Sequence, residues 1–337
     1  MSERMAEGKI LRLGLDIGYS ATKGVWEGGH FTFPSVVGYA KDLNFSLREG
    51  KASPEEEVEY NDKRFFVGER AQLSDFSLPL KTRDWIESDI YAALMISALK
   101  RFMKGVELSE IEKVIIVTGL PVNYMRDREK AEQVVLRVFS TLRIDPGRVR
   151  VNVIPQPFGA FFHFFFDNDG AVNRNAPAAR RFGVLDIGHG TTDWILVENA
   201  RTYLEKASGS VPIGTHTVYD MLCTALLNEY GLDHFTAADA ETCIRSKQLK
   251  VAGQVRDVSR LVSAVLEQVG LRIAGTVKSK WSSEGAIDFL LLEGGGAELL
   301  HHHLSSIAPV TFKAEDPRMA NARGYYKRSV MLAKTTA

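Results

Sequence analysis

Two acidic residues, Asp16 and Asp186, each close a short apolar run and are each followed by a glycine-rich turn: LDIGYSATK at 15–23 and LDIGHGTTDW at 185–194. In the first stretch Gly18 lets the backbone turn without a Cβ in the way. Successive N–H groups of such a turn, here those of Gly18, Tyr19 and Ser20, converge into an anion-binding nest. Ser20 and Thr22 add hydroxyl donors, and Lys23 reaches a terminal phosphate as a point charge. Asp16, acceptor-only at neutral pH, suits a hydrated Mg²⁺, which keeps several waters and takes few protein ligands. Taken alone, this stretch is equally well an ordinary hairpin with a polar tip. The second stretch repeats the letters L-D-I-G. Gly188 and Gly190 bracket its turn, Thr191 and Thr192 supply hydroxyls, and Asp186 takes the place of Asp16. Two acidic strand ends facing one another across a cleft would hold one Mg²⁺ and clamp a triphosphate from both sides. His189, inside the second turn, reads as solvent-exposed rather than catalytic.

A third element is LLEGGGAELL at 291–300. Gly294, Gly295 and Gly296 after a buried strand let a base or ribose lie directly against backbone, and a helix starting near Ala297 offers its N-terminus.

The elements that must carry these residues follow from hydrophobic periodicity. Strands are predicted over Ile10–Ile17 and Thr22–Trp26, joined by a tight turn, and again over Phe182–Ile187 and Thr192–Val197. The chain therefore opens its second half as it opened its first, an internal duplication. Residues 41–64 are polar and charged, suggesting an exposed insertion or small subdomain. Apolar residues at helical spacing predict a helix over Trp85–Met103 and another over 127–142. A buried strand is predicted over Val114–Val117. The segment 168–181 reads as a linker or exposed loop. Helices are expected at 215–230, 236–249 and about 256–279, and a last strand at Phe289–Leu292.

The order of two phosphate loops, connecting segments and a glycine loop resembles the superfamily of actins, sugar kinases and heat-shock chaperones. FPSVVG at 33–38 and FVGERAQ at 66–72 resemble actin segments. VIPQPFGAFF at 153–162 is similar to the first connecting helix of actins, which places Gln156 where actins keep the glutamine that orients the attacking water. ANARGYYKR at 320–328 is similar to the second connecting segment. VTGLPVNY at 117–124 and the IGT turn at 213–215 look like the ParM/StbA group of plasmid-segregation actins of bacteria and archaea. The resemblance covers almost the whole chain. It implies an α/β, actin-like (ribonuclease H-like) fold of duplicated domains, two lobes around a central nucleotide cleft. Domain I would take 1–165 with a small subdomain at about 32–80. Domain II would take 180–319 with a small subdomain at about 215–285, and 320–337 would return to domain I.

The same resemblance implies an ATPase that polymerises head to tail, for plasmid or DNA segregation or cytoskeletal positioning. Its cofactors would be ATP/ADP, with GTP left open, and Mg²⁺ held by Asp16 and Asp186 mainly through water. The catalytic set would be Gln156, Asp186 and Asp193, the last standing where eukaryotic actins carry a water-contacting histidine. Glu241 or Lys247, on the helix expected at 236–249, would reach the ribose or base. The rivals on the same fold are a small-molecule kinase, with Asp193 as general base, and a nucleotide-gated chaperone or reactivating factor.

Composition bounds the rest. Acidic and basic residues balance at 42 each in 337 residues, which leaves no electrostatic footprint for direct nucleic-acid or membrane binding, so DNA would be reached through an adaptor protein. The start MSERMAEGKI has no apolar signal region, and FGAFFHFFF at 158–166 is too short to span a bilayer. Cys223 and Cys243 fit neither a metal site nor a disulfide framework, in keeping with a reduced, cytoplasmic setting. His301, His302 and His303 are consecutive and point about 100° apart on a helix, so they read as an exposed helix start or loop rather than a metal site. The aromatic run at 161–166 is expected to pack between lobes, and Trp26, Trp85, Trp194 and Trp281 to fill core or subunit-interface positions.

Overall fold

A computed structural model describes residues 9–40, 53–72, 85–174, 176–177 and 179–335. The described chain divides into two compact units. One holds the residues up to Ala176 together with those from Met319 onward, and the other holds Pro177–Arg318.

The first unit begins with β1 (Lys9–Ile17), β2 (Ala21–Trp26) and β3 (Gly29–Pro34), an antiparallel run in which β1 and β2 are joined by the LDIG turn. The second half of β1 is fully buried, as a central strand must be. A small three-stranded sheet follows, made of β4 (Val37–Tyr39), β5 (Glu57–Tyr60) and β6 (Lys63–Val67), and then the short helix α1 (Glu69–Gln72). Part of the polar stretch expected as an exposed insertion is thus sheet, because Val58, Tyr60, Phe65, Phe66 and Val67 are buried within it. Residues 41–52 of that stretch, and 73–80 of the expected subdomain, lie outside the described residues.

Trp85–Glu87 is a single tight turn, and Ser88 caps α2 (Asp89–Phe102) by accepting from the Tyr91 N–H. Strand β7 (Ile111–Leu120) lies parallel to β1, α3 (Arg128–Thr141) turns Val134, Val135, Val138 and Phe139 inward, and β8 (Val149–Pro155) lies parallel to β7. The sheet order is β3-β2-β1-β7-β8. Helix α4 (Phe158–Phe165) leaves β8 through Gln156 and Pro157.

The second unit repeats this plan. Strands β9 (Arg181–Ile187) and β10 (Thr192–Glu198) form an antiparallel hairpin, extended by β11 (Thr202–Tyr203) and β12 (Gly209–Val211). Helices α5 (Thr215–Tyr230) and α6 (Ala237–Ser246) follow. The helix expected over 236–249 stops at Ser246, where Lys247 adopts φ 58°. The next residues form a hairpin, β13 (Gln248–Val251) and β14 (Gln254–Asp257), turning through Ala252 and Gly253, both at positive φ. That turn suits the twist of paired strands and displaces the expected helix start from 256 to Ser259, where α7 (Ser259–Trp281) begins. Strand β15 (Phe289–Glu293) lies parallel to β9, α8 (Ala297–Leu304) follows the triple glycine, and β16 (Val310–Lys313) lies parallel to β15. The order β11-β10-β9-β15-β16 again places an antiparallel hairpin beside two parallel strands. The three histidines fall in the last turns of α8, not at a helix start, and His303 packs on Gly270 of α7.

The last helix, α9 (Ala320–Lys334), belongs to the first unit. It crosses α4 with no side chain between the backbones: a Cβ on Gly324 would lie 1.6 Å from the Gly159 carbonyl oxygen. Asn321 accepts from the Ala160 N–H at 3.2 Å, and the buried Lys327 ammonium donates to the carbonyls of His163 and Phe166, closing the C-terminus of α4. The buried Phe161 and Phe165 belong to this helix pair. Trp85, Trp194 and Trp281 are buried; Trp26 is half-buried.

Candidate functional site

In the first hairpin, β1 and β2 run in a register that sets Asp16 opposite Lys23 and Ile17 opposite Thr22. The Gly18 N–H donates to the Ala21 carbonyl at 3.1 Å, closing the turn. Asp16 is 5% exposed, and the Lys23 ammonium donates to its Oδ2 at 2.7 Å. Lys23 therefore neutralises Asp16 in this arrangement. The Thr22 hydroxyl is fully buried and bonded to the Ser35 hydroxyl at 2.9 Å, so it braces β2 from behind. Ser20 is exposed at the tip; its carbonyl accepts from the Ser35 N–H, and its own amide meets no acceptor among the described residues. The Tyr19 ring lies 4.9 Å from that of Trp85, which in turn meets Tyr91 edge-on. Burial pushes the Tyr91 phenol up from its ordinary range and the charge of Asp16 adds to this, while the neighbouring Thr118 hydroxyl opposes it.

Gln156 occupies the turn between β8 and α4. Its N–H donates to the Leu120 carbonyl at 2.8 Å, and its carbonyl accepts from the Gly159 N–H at 2.9 Å and the Tyr325 hydroxyl at 3.2 Å. The backbone of Gln156 is thus tied to β7, α4 and α9 together, which fixes the root of a half-buried amide side chain.

The second hairpin repeats the closing bond: the Gly188 N–H donates to the Thr191 carbonyl at 2.9 Å. The amides of Gly190 and Thr191 meet no acceptor among the described residues. Asp186 stands opposite Asp193 in the β9–β10 register, where the first hairpin has Asp16 and Lys23. Asp186 is 7% exposed and Asp193 only 1%. The Asp193 carboxylate accepts from the Thr191 hydroxyl at 2.7 Å and from the Ser210 hydroxyl. The Thr192 hydroxyl, fully buried, donates to the Ile213 carbonyl at 2.7 Å, the same bracing role as that of Thr22. His189 is not a bare turn residue. Its Nδ1 lies 3.2 Å from the Thr215 hydroxyl, its ring faces those of His216 and Tyr219, and the Thr215 and His216 N–H groups donate to the carbonyls of Gly188 and His189. The N-terminus of α5 is therefore bonded to the turn through the turn's own carbonyls.

The glycine loop sits against the same strand end. Gly294 has φ +80°, and a Cβ there would lie 2.4 Å from the Ile187 carbonyl oxygen and 2.5 Å from Asp186 Oδ1. The Gly296 N–H donates to the Ile187 carbonyl at 2.8 Å, while Gly295 has open space around it. Glu293, fully buried, stands opposite Asp186 in the parallel register of β15 and β9. Sequence reading passed over Glu293 and Ser210. An acid directly before three glycines was a signal for the first; nothing local marks the second.

Glu241 lies on α6, paired with Arg245 at 2.6 Å. Burial, and after it the charge of Glu241, raise the Tyr219 phenol, with Thr215, Arg318 and Arg245 opposing. Lys247 lies beyond the end of α6 in the left-handed conformation.

Among the described residues no three His, Cys, Asp or Glu side chains are grouped so as to hold a metal ion, and no helix is long and apolar enough to cross a membrane. Asp16 and Asp186, each within its own unit, are buried carboxylates, hard oxygen donors of the kind that Mg²⁺ takes.

Two family models match the chain: the N-terminal domain of actin-like proteins over residues 14–159, and the C-terminal domain of archaeal MreB-like actin homologues over 184–306. No curated protein compared with the chain matches it in sequence. Among solved structures, a 15-stranded ParM filament from Clostridium botulinum is similar with a TM-score of 0.74 at 18% identity, covering 96% of this chain and 99% of its own. An archaeal actin homologue in complex with ADP is similar with a TM-score of 0.70 at 20% identity, covering 94% and 97%. ParM of Bacillus thuringiensis with ATP is similar with a TM-score of 0.62 at 15% identity, covering 97% and 99%.

Proposed function

This chain belongs to the actin-like proteins, and on that premise we propose that it binds ATP or ADP with Mg²⁺, hydrolyses the triphosphate to ADP and phosphate, and assembles head to tail into filaments. The observation that carries the reading is the hairpin repeated at the level of single hydrogen bonds. Each is closed by its glycine amide, each carries a buried acid at the strand end, and each leaves tip amides without acceptors among the described residues.

In this reading both hairpins serve the same nucleotide. The tip amides of Ser20, Gly190 and Thr191 donate to β- and γ-phosphate oxygens, those of Gly18 and Gly188 being spent on closing the turns, and the Lys23 ammonium leaves Asp16 to neutralise the terminal phosphate. Asp16 and Asp186 hold the hydrated Mg²⁺, which when bound supplies charge neutralisation along the triphosphate. Gln156 orients the attacking water; a glutamine is too weak a base to deprotonate it, so the proton leaves with the products. Asp193 acts through others, holding the Thr191 and Ser210 hydroxyls. Gly294, Gly295 and Gly296 take the nucleoside side, with Glu241 and Lys247 as the candidate ribose or base contacts. Its burial and its two hydroxyl partners make Asp193 a poor general base for an acceptor alcohol, so nothing favours a small-molecule kinase.

Loss of the γ-phosphate would remove contacts that hold the nucleotide-bound form, and a head-to-tail contact that does not close a ring gives a filament. The filament architecture of the Clostridium botulinum relative supports self-association here. The cellular task would be segregation of plasmid or other DNA through an adaptor protein, or cytoskeletal positioning, in the cytoplasm. Light scattering and phosphate release with Mg²⁺ and either ATP or GTP test the reading. Nucleotide-dependent scattering with phosphate release, both lost in a folded Asp186→Ala variant, are expected. A persistent monomer that releases no phosphate from either nucleotide overturns it.

A further inference from the structure

The geometry points to a second small-molecule site in the first unit, taking a compact amphipathic carboxylate. It lies at the end of β1 and β2 away from the Asp16 turn, where a cavity of about 680 Å³ opens. That volume falls within the roughly 300–1,000 Å³ of pockets that hold small ligands.

Its apolar wall is made by Leu11, Trp26, Phe31, Phe102 and Val106. The Trp26 ring lies 5.8 Å from Phe31 and 6.0 Å from Phe102, centroid to centroid. Two glycines let the rings lie on bare backbone. A Cβ on Gly24 would meet Phe31 Cζ at 2.3 Å, and one on Gly29 would meet Trp26 Cζ2 at 2.4 Å. The wall is therefore set by the hairpin itself and not by loose side chains.

The polar part of the lining is one-sided. Arg12 pairs with Glu27 through a terminal nitrogen, and Arg101 stacks over Phe33 at 4.8 Å. The Nε–H groups of both guanidiniums are buried and meet no acceptor among the described residues, so their terminal nitrogens are the ones left to a ligand. The two acids of the lining are already engaged, Glu27 by Arg12 and Glu55 by Lys104 at 3.1 Å. The lining thus carries four cations, Lys9, Arg12, Arg101 and Lys104, against two acids, an excess of positive charge. A ligand that answers it carries an aromatic or branched apolar body, to lie on the rings, and one carboxylate, to accept from Arg12 and Arg101. Arg12 and Asp16 are separated along β1 by about 13 Å at the usual rise of a strand, so the site is distinct from the phosphate-binding turn.

The test is ligand-observed NMR on the full-length chain with 4-phenylbutyrate, its neutral amide and 4-phenylbutylamine. The carboxylate is expected to bind with Kd of about 1 mM or tighter, and the amide and amine about tenfold or more weakly. Arg101→Gln and Arg12→Gln, each shown to be folded by circular dichroism, are expected to weaken carboxylate binding about tenfold apiece. Equal binding of acid and amide, no binding of the acid at about 5 mM, or undiminished binding in both folded variants overturns the site.

Discussion

The two hairpins are built alike and charged differently. Their closing bonds differ by 0.2 Å in length, 3.1 Å at Gly18 and 2.9 Å at Gly188, and each buries a threonine hydroxyl in a hydrogen bond to a residue just beyond another strand, Ser35 after β3 and Ile213 after β12. At the position opposite the acid, however, one has Lys23 and the other Asp193. In the first hairpin the acid is already neutralised by its own lysine. The second presents two acids in register, with Glu293 on the next strand, and so carries the greater demand for a compensating cation. A shared backbone device can therefore keep its turn geometry while its side chains differ in charge.

Four sets of substitutions break or sharpen that contrast. Gly294→Ala should cost the most, about 3–5 kcal/mol in chemical denaturation, because a Cβ at φ +80° would strike the Ile187 carbonyl and the Asp186 carboxylate. A loss below about 1 kcal/mol would mean that the glycine loop is not seated on the second hairpin. Lys23→Met should follow at about 1–3 kcal/mol, since it leaves the buried Asp16 without its ion pair, moderated by the partial exposure of the lysine. Asp193→Asn should cost less, within about 1 kcal/mol, because the lost hydroxyl acceptor is offset by relief of repulsion with Asp186. If Asp193→Asn is the costlier of the two, the charge contrast is misread. Gly18→Ala and Gly188→Ala should each cost about 0.5–1 kcal/mol and match one another, since the added Cβ meets a carbonyl oxygen at 3.2 Å in both turns. Unequal values would show that the two turns are not the same device.

How much of this was legible in the sequence depended on how far apart the partners lie. The Asp-x-Gly turns could be read because every residue that shapes them sits within eight positions, and the flanking strands because their apolar runs are continuous. The actin-like fold followed from the order of those pieces. The commitments of Thr22 to Ser35, Asp193 to Ser210 and Thr192 to Ile213 are tertiary, so the side chains that carry hydroxyls could be named but not their targets. Glu293 acquires its place beside Asp186 only through the pairing of β15 with β9. The hairpin at 248–257 was hidden because helix-compatible residues run on through Lys247, and the turn at Ala252 and Gly253 overrides them.

The central claim is that the two hairpins serve a single nucleotide. Isothermal titration of Mg·ATP into the full-length chain, and into Gly18→Val and Gly188→Val variants verified as folded, tests it most directly. The account predicts one ATP per chain, with binding weakened at least about tenfold by either substitution, since each places a branched side chain against a closing carbonyl. Two nucleotides per chain, or affinity lost in one variant and untouched in the other, would contradict it.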